Sequence, residues 1–234
     1  MAEVTIPTAA GGMPAWLDTP SASPPWPGVV VLHDAAGPSE DMRHQAAWLA
    51  SEGFLAVVPN LYYPSGMTAC VRELIRDAAA LNGRFFATIE ASRAWLARQE
   101  GCTGRIGVIG YCMGGGFALL LAPPAYGFSA SSINYGGPIP RNARTLLAGA
   151  CPIVGSYGAK DRFARGAAAD LERILTELEV PHDVMEYPAA GHSFLNNHQQ
   201  LFFRMLKVVG IGYHEPSAQD ARRRIAAFFH RYLR

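Results

Sequence analysis

The chain has few charged side chains, and the two signs nearly cancel. Only 17% of its 234 residues are charged, and 20 Lys and Arg stand against 19 Asp and Glu, which gives a formal net charge of +1. A balance this even provides no general attraction to nucleic acids or to anionic membrane surfaces. We therefore expect neither a nucleic acid nor a membrane among its partners.

Export and membrane signals are also missing. Residues 1–7 lack the basic region and the long apolar core of a signal peptide. No run of 18 or more apolar residues suggests a transmembrane helix. The cysteines (Cys70, Cys102, Cys112 and Cys151) are scattered, and none has zinc spacing to a histidine. We expect reduced thiols in a cytoplasmic protein, with no metal site.

Half of the residues are hydrophobic, which suits a well-buried sheet in one α/β domain spanning residues 1–234. A hairpin is expected over 3–18, around Gly11-Gly12. Strands are predicted near 28–33, 54–58, 105–110, 129–135, 151–157 and 182–187, and helices near 39–51, 83–99, 114–121, 166–179 and 216–233. This alternation predicts a mostly parallel sheet with helices on both faces.

The most informative motif is Gly110-Tyr111-Cys112-Met113-Gly114, at the junction of a predicted strand and helix. Glycines two residues before and after Cys112 match the nucleophile-elbow pattern, with cysteine in the serine position. The helix N-terminus favours a thiolate and offers the Met113 N–H to an oxyanion. A buried cysteine in an ordinary Gly-rich turn would give the same pattern. Other residues are therefore needed to distinguish a nucleophile from a structural cysteine.

Two such residues follow later strands. Asp161 comes directly after the predicted strand at 151–157, and His192 follows the one at 182–187. The order nucleophile, acid, histidine is that of α/β-hydrolases, whereas chymotrypsin-like and subtilisin-like enzymes use other orders. Sites in open α/β sheets form at the carboxyl ends of the strands, where both residues are expected. We therefore predict a triad of Cys112, His192 and Asp161.

At this point the chain resembles the dienelactone hydrolase family (carboxymethylenebutenolidases and relatives). The residues that carry the resemblance are Gly110 to Gly115, Tyr157 to Asp161, Ala190 to Phe194, Val29 to Gly37 and Leu49 to Tyr62. The resemblance covers nearly the whole chain. It implies an α/β-hydrolase fold and hydrolysis of a small-molecule ester or lactone through a thioester, with no cofactor and no metal.

The loop after the first parallel strand should complete the oxyanion site. Ala35 is the candidate for the second backbone N–H donor, beside Met113. Asp34 falls where the family carries a glutamate that contacts the resting thiol, and aspartate is one methylene shorter. Asp34 either modulates the Cys112 thiol or braces the loop. His33 is expected to be a packed or hydrogen-bonded loop residue.

The substrate contacts depart from the family pattern. Members that act on dienelactone bind its carboxylate with an arginine four residues after the catalytic histidine, and here that position is Asn196. Asn196 cannot supply a bidentate charged fork. Arg72, Arg76 and Arg84 are either substitutes or solvated helix-face residues. We expect neutral or weakly polar acyl groups, with Tyr111, Phe194 and Asn196 contacting the substrate.

Other predictions remain open on the sequence alone. The apolar segment 201–213 is a lid, a pocket wall or a surface helix. A transferase could use an alcohol or amine in place of water, and a non-hydrolytic scaffold could bind a small molecule or sense redox state through its elbow thiol. A glutaminase-like site is disfavoured because position 194 is Phe, not an acid. The protein is expected to be a monomer or a small homo-oligomer.

Overall fold

The computed structural model describes residues 1–66, 73, 76–78, 80–198 and 211–234. Its strands are β1 (Ala2–Thr8), β2 (Gly11–Asp18), β3 (Trp26–Leu32), β4 (Leu55–Pro59), β5 (Cys102–Tyr111), β6 (Ala130–Asn134), β7 (Ile153–Gly158) and β8 (His182–Tyr187). Its helices are α1 (Glu40–Ser51), α2 (Arg84–Leu96), α3 (Met113–Leu120), α4 (Ala143–Leu146), α5 (Ala167–Glu177) and α6 (Glu215–Leu233).

All eight strands form one sheet in the order β1-β2-β4-β3-β5-β6-β7-β8. β2 pairs antiparallel with both β1 and β4, and every other neighbouring pair is parallel. The predicted N-terminal hairpin and mostly parallel sheet are confirmed. The hairpin turn lies at residues 9–10, because Thr8 already pairs with Gly11, so it precedes the expected glycine pair.

The sheet is covered on both faces because successive side chains of a strand point to opposite sides. In β3, Val30 and Leu32 pack into one apolar cluster with Phe85 of α2 and Phe117 of α3. Val29 and Val31 pack into the other cluster, with residues of α1 and α6. The uninterrupted apolar run at 29–32 is therefore that of a strand buried on both faces.

The differences from the predicted elements are small. β5 begins three residues earlier than expected, at Cys102, α2 ends at Leu96, and the one-turn helix α4 was not predicted. Within the described ranges, no helix is long and apolar enough to cross a membrane. The carboxyl ends of β3, β5, β6, β7 and β8 lie along one edge of the sheet, and the loops that follow them carry the site described next.

Candidate active site

Cys112 occupies a strained turn between β5 and α3. Its φ is 53° and its ψ is −113°, a conformation that costs a non-glycine residue about 1–3 kcal/mol. A Cβ on Gly110 would lie 1.9 Å from the Gly114 carbonyl oxygen, and one on Gly114 would lie 2.3 Å from the Leu32 carbonyl oxygen. Both elbow positions therefore require glycine, as the motif predicts.

The side chains of Cys112, His192 and Asp161 form a hydrogen-bonded line. Nε2 of His192 lies 3.1 Å from Sγ of Cys112, and its Nδ1 lies 2.7 Å from Oδ2 of Asp161. The other carboxylate oxygen of Asp161 accepts the backbone N–H of Phe163 at 2.8 Å. Asp161 is only 3% exposed. The carboxylate is therefore fixed by its own loop while it orients the imidazole.

This line of contacts changes the proton affinity of the imidazole. Burial lowers the pKa of His192, but hydrogen bonds and charge from Asp161 and Cys112 outweigh burial and raise that pKa to about 9. His192 is therefore protonated at neutral pH, and an imidazolium lies between a carboxylate and the sulfur.

The loop after β3 presents a backbone N–H to the same place. Nε2 of His33 accepts the Leu61 N–H at 3.2 Å, so its proton is on Nδ1, which donates to the Asp34 carbonyl oxygen at 2.7 Å. Gly37 N–H donates to that oxygen as well, at 3.1 Å. In a trans peptide the next N–H points the opposite way, so the N–H of Ala35 is directed away from these donors.

His33 is thus a hydrogen-bonded loop residue, as predicted. Burial lowers the pKa of His33, which keeps the ring neutral and suits the assigned tautomer. Ala35 itself lines the pocket in front of Cys112. The N–H of Met113 belongs to the first residue of α3 and has no carbonyl within the helix to which it could donate. The two predicted oxyanion donors therefore lie at one pocket.

The Asp34 carboxylate is hydrogen-bonded to its own loop and to His198. Its Oδ1 accepts the Ala36 N–H at 2.8 Å, and its Oδ2 lies 2.7 Å from Nε2 of His198. The sulfur of Cys112 contacts His192 instead. Of the two roles considered for Asp34, the contacts correspond to bracing the loop that carries Ala35. Modulation of the Cys112 thiol by Asp34, the other role considered, stays a prediction.

The pocket at this edge has a volume of about 490 Å³. None of the described residues that line it is Lys or Arg; they are Asp34, Ala35, Ala36, Cys112, Met113, Tyr135, Gly136, Gly137, Pro138, Phe163, His192, Ser193 and Ile211. Five of the described non-glycine residues have a positive φ, and three of them, Cys112, Tyr135 and Ser193, line this pocket. Backbone strain is therefore concentrated at this pocket, as is usual for functional sites.

Three side chains predicted to contact the substrate lie behind the pocket. Tyr111 is 0% exposed, and its hydroxyl donates to Gln45. Phe194 is also fully buried, with its ring against Tyr135 and Tyr187. The prediction for Tyr111 and Phe194 is corrected, since strand and loop geometry turn both side chains into the core between the sheet and its helices.

Asn196 is 1% exposed and supports the pocket from below. Its amide nitrogen donates to Oδ2 of Asp41 at 2.6 Å, and its amide oxygen accepts the hydroxyl of Tyr135. The Tyr135 ring lies edge-on to His192, with centroids 5.3 Å apart. Asn196 therefore contacts Tyr135, which lines the pocket, and is not itself among the described residues that line it.

The candidate arginines are engaged away from the pocket or lie outside the described residues. Arg84 pairs with Glu73 and donates to the Tyr63 carbonyl, and Arg76 pairs with Glu73 and Asp77. Arg72 lies outside the described residues. Of the segment 201–213, only residues 211–213 are described, and Ile211 pairs with His192 as a parallel bridge and lines the pocket.

Sequence reasoning missed several residues around the site, among them Tyr62, Tyr135, Phe163 and His198. The hydroxyl of Tyr62 donates to the Ala35 carbonyl at 3.0 Å and lies 3.8 Å from Sδ of Met113. Phe163 is 63% exposed, and its ring lies 5.4 Å from that of His192. The position of Tyr135, directly after β6 and before two glycines, was the available signal for it.

The described residues contain no group of three or more His, Cys, Asp or Glu side chains that could hold a metal ion. They are arranged instead for acid–base and nucleophilic chemistry. A cysteine hydrogen-bonded to a histidine, in a pocket that Ala35 and Met113 also line, is suited to attack on a carbonyl carbon.

This chain is similar to known hydrolases. The model of the Dienelactone hydrolase family matches residues 13–233. A carboxymethylenebutenolidase of Pseudomonas sp. (strain P51) is 32% identical over 181 residues, which cover 72% of this chain and 74% of that protein. A carboxymethylenebutenolidase of Rhodococcus opacus is 29% identical over 224 residues, covering 88% and 81%.

A solved structure supports the fold. The dienelactone hydrolase-like promiscuous phosphotriesterase from metagenomic libraries superimposes with a TM-score of 0.83, covering 100% of this chain and 98% of that one, at 19% identity. The architecture is therefore the α/β-hydrolase fold. The family match over residues 13–233 and the two carboxymethylenebutenolidases show that this chain belongs to the dienelactone hydrolase family and is a hydrolase that acts on ester or lactone bonds.

Proposed function

We propose that this protein hydrolyses neutral esters or lactones through a thioester on Cys112, with His192 and Asp161 completing a catalytic triad. The observation that carries the proposal is the line of two hydrogen bonds, 3.1 Å from sulfur to Nε2 and 2.7 Å from Nδ1 to carboxylate, at the base of an apolar pocket. Each residue follows a different strand, so the sheet holds all three in place.

In the first half-reaction, the Cys112 thiolate attacks the carbonyl carbon and the π electrons move to the carbonyl oxygen. The N–H groups of Ala35 and Met113 hold that oxyanion. When the carbonyl re-forms, the bond to the leaving oxygen breaks, and protonated His192 donates its Nε2 proton to that oxygen. The products are an alcohol and an acyl thioester on Cys112.

In the second half-reaction, neutral His192 takes a proton from water as the water oxygen attacks the thioester carbon. Collapse of this second oxyanion breaks the carbon–sulfur bond and releases the carboxylic acid. The thiolate leaves next to the imidazolium, so the resting ion pair is restored. Asp161 stabilises the imidazolium whenever it forms.

The walls of the pocket support a neutral substrate. The described residues that line the pocket include one carboxylate side chain, that of Asp34, and no Lys or Arg. A carboxylate on the substrate would be desolvated there without a lysine or arginine on the described wall to pair with it, which is costly. We therefore propose neutral or weakly polar acyl groups, not the anionic lactone that gives the family its name.

We also propose a cytoplasmic location and a single domain. The described cysteines Cys102, Cys112 and Cys151 are free thiols, as is usual in a reducing compartment. One sheet runs through the described chain. The monomeric or small homo-oligomeric state and the lack of a nucleic-acid partner stay predictions.

Mass spectrometry during turnover of p-nitrophenyl acetate tests the mechanism. The wild type should release p-nitrophenol in a burst and carry one acetyl group on Cys112. Cys112→Ala should lose both the burst and the adduct, whereas the matched variant Cys102→Ala should retain them. Turnover by Cys112→Ala within tenfold of wild type would refute the thioester.

A further inference from the structure

A second cavity adjoins the catalytic pocket. Its volume is about 420 Å³, and it shares Met113, Gly136 and Pro138 with the catalytic pocket of about 490 Å³. The proposed mechanism assigns it no role, since none of the three triad residues lines it. The two spaces are therefore neighbours. The partition between them consists of the Met113 side chain and the loop that carries Gly136 and Pro138.

The walls of the second cavity are apolar. The helix α3 contributes five of the described lining residues, which are Met113, Gly116, Phe117, Leu119 and Leu120. Pro138 and Pro140 also line it. The described residues that line it include no charged side chain. A space of this kind favours a hydrocarbon group over a polar or ionic one.

The position of the second cavity favours the acyl group of an ester over its alcohol group. The leaving oxygen must lie near Nε2 of His192, which donates the proton, and the His192 side of the catalytic pocket is walled by Phe163, Ser193 and Ile211. None of these three lines the second cavity. The acyl substituent is bonded to the carbonyl carbon separately from the leaving oxygen, so it can extend toward Met113, which borders both spaces.

Met113 is suited to separate the two spaces without sealing them. It is half-buried and packs against the core, and its Sδ accepts a weak hydrogen bond from the Tyr62 hydroxyl at 3.8 Å. Methionine has three rotatable side-chain bonds and adapts its shape to what it packs against. An acyl chain can therefore displace the thioether while the Met113 backbone stays in the helix.

We propose that the second cavity binds the linear apolar acyl chain of the substrate, so that esters of medium-chain acids are preferred over acetates. This deepens the proposed function and depends on it for the position of the carbonyl carbon. Each methylene that leaves water contributes about 0.8 kcal/mol, which corresponds to about fourfold in kcat/KM. Several such methylenes fit the shared space.

The test compares p-nitrophenyl octanoate with p-nitrophenyl acetate. The wild type should favour octanoate in kcat/KM by at least about tenfold. Leu120→Trp, which fills the second cavity, should reduce that ratio by about tenfold, and Leu120→Phe should reduce it less. The matched control is Leu178→Trp, at a half-buried leucine that lines neither space, and it should keep the wild-type ratio.

Binding provides a readout that does not require turnover. Octanamide should bind the wild type at least about tenfold more tightly than acetamide, and Leu120→Trp should remove the difference. This inference alone would be overturned if the wild type turned over both esters with similar kcat/KM. It would also be overturned if Leu120→Trp left the octanoate-to-acetate ratio of kcat/KM unchanged. Loss of all ester turnover with selective octanamide binding would overturn the cysteine mechanism and leave the chain site standing.

Discussion

Asp34 and His198 form a buried pair across 164 positions of the chain, with Oδ2 of Asp34 2.7 Å from Nε2 of His198. The two side chains are 5% and 4% exposed. Burial lowers the pKa of His198, but the hydrogen bond and charge of Asp34 outweigh it and raise that pKa. The pair joins the loop that carries Ala35 to the segment that follows His192.

Removing the imidazole of this pair should destabilise the protein. His198→Leu leaves the Asp34 carboxylate buried with less compensation, and breaking a buried pair costs about 3–5 kcal/mol. We expect a matching decrease in the free energy of unfolding from urea titration. The double variant Asp34→Asn/His198→Leu should recover part of that loss. Equal losses in the single and double variants would show that the two side chains are not coupled.

Cys112 should be the first thiol to be alkylated. Burial raises the pKa of Cys102, and it raises that of Cys151 to about 12, so both remain protonated at neutral pH. Because Asp34 is engaged with Ala36 and His198, labelling of Cys112 should not need substrate. Mass spectrometry after brief iodoacetamide treatment measures the order. Earlier labelling of Cys70, Cys102 or Cys151, with activity retained, would contradict this.

Asp161→Asn should leave the protein folded and lower turnover by several orders of magnitude. The amide oxygen can still accept the Phe163 N–H, but it cannot stabilise the His192 imidazolium, and the imidazole can adopt the wrong tautomer. The matched control is Asp170→Asn, on the exposed surface of α5. Turnover by Asp161→Asn within about tenfold of wild type, or about 1.4 kcal/mol, would remove Asp161 from the triad.

The stabilising effect of Asp161 should depend on pH. The pKa of His192 is about 9 in the folded protein and about 6.5 in an unfolded chain. The contribution of the protonated His192 to the free energy of unfolding is therefore complete below pH 6.5 and is lost as the pH rises through 9. The Tm difference between wild type and Asp161→Asn should therefore be larger at pH 6.5 than at pH 10. A difference that grows toward pH 10 would have the wrong sign.

A cation added to the pocket wall should change substrate preference. Position 196 is unsuitable because Asn196 is buried and bonded to Asp41 and Tyr135. Phe163 is 63% exposed on the wall, so Phe163→Arg can present a guanidinium there. We expect its kcat/KM ratio for a carboxylate-bearing lactone over a neutral ester to rise by one to two decades.

Phe163→Gln is the control for this prediction, since it removes the ring without adding charge. The ratio should be measured on both substrates with wild type, control and variant. If the wild type already prefers the anionic lactone, another residue supplies the cation that binds its carboxylate, and Arg72 would be tested next.

Local pattern predicted what depends on local geometry. The two elbow glycines, the strand before Cys112 and the positions of Asp161 and His192 just after strands can all be read from short segments. The contacts of Asp34 with His198 and of Asn196 with Asp41 could not, because each joins two segments of the chain, 164 and 155 residues apart. Such pairs depend on how the loops pack, which composition and periodicity do not encode.

The placement of Tyr111 could have been predicted. Ile109 and Tyr111 alternate with Val108 along β5, and both belong to the cluster on the α1 and α6 side of the sheet. The same alternation would have excluded Tyr111 from the pocket. Proximity to Cys112 in sequence was the weaker guide, because Tyr111 is the last residue of β5 whereas Cys112 already belongs to the turn.

Met113 carries two separable properties in one residue. Its backbone N–H is the proposed oxyanion donor, and its side chain forms part of the partition between the two cavities. Every amino acid except proline keeps that N–H. A change in a single codon can therefore alter which acyl chains the enzyme accepts while the group that stabilises the oxyanion is inherited unchanged. Divergence of substrate range within such a lineage does not have to pass through an inactive intermediate.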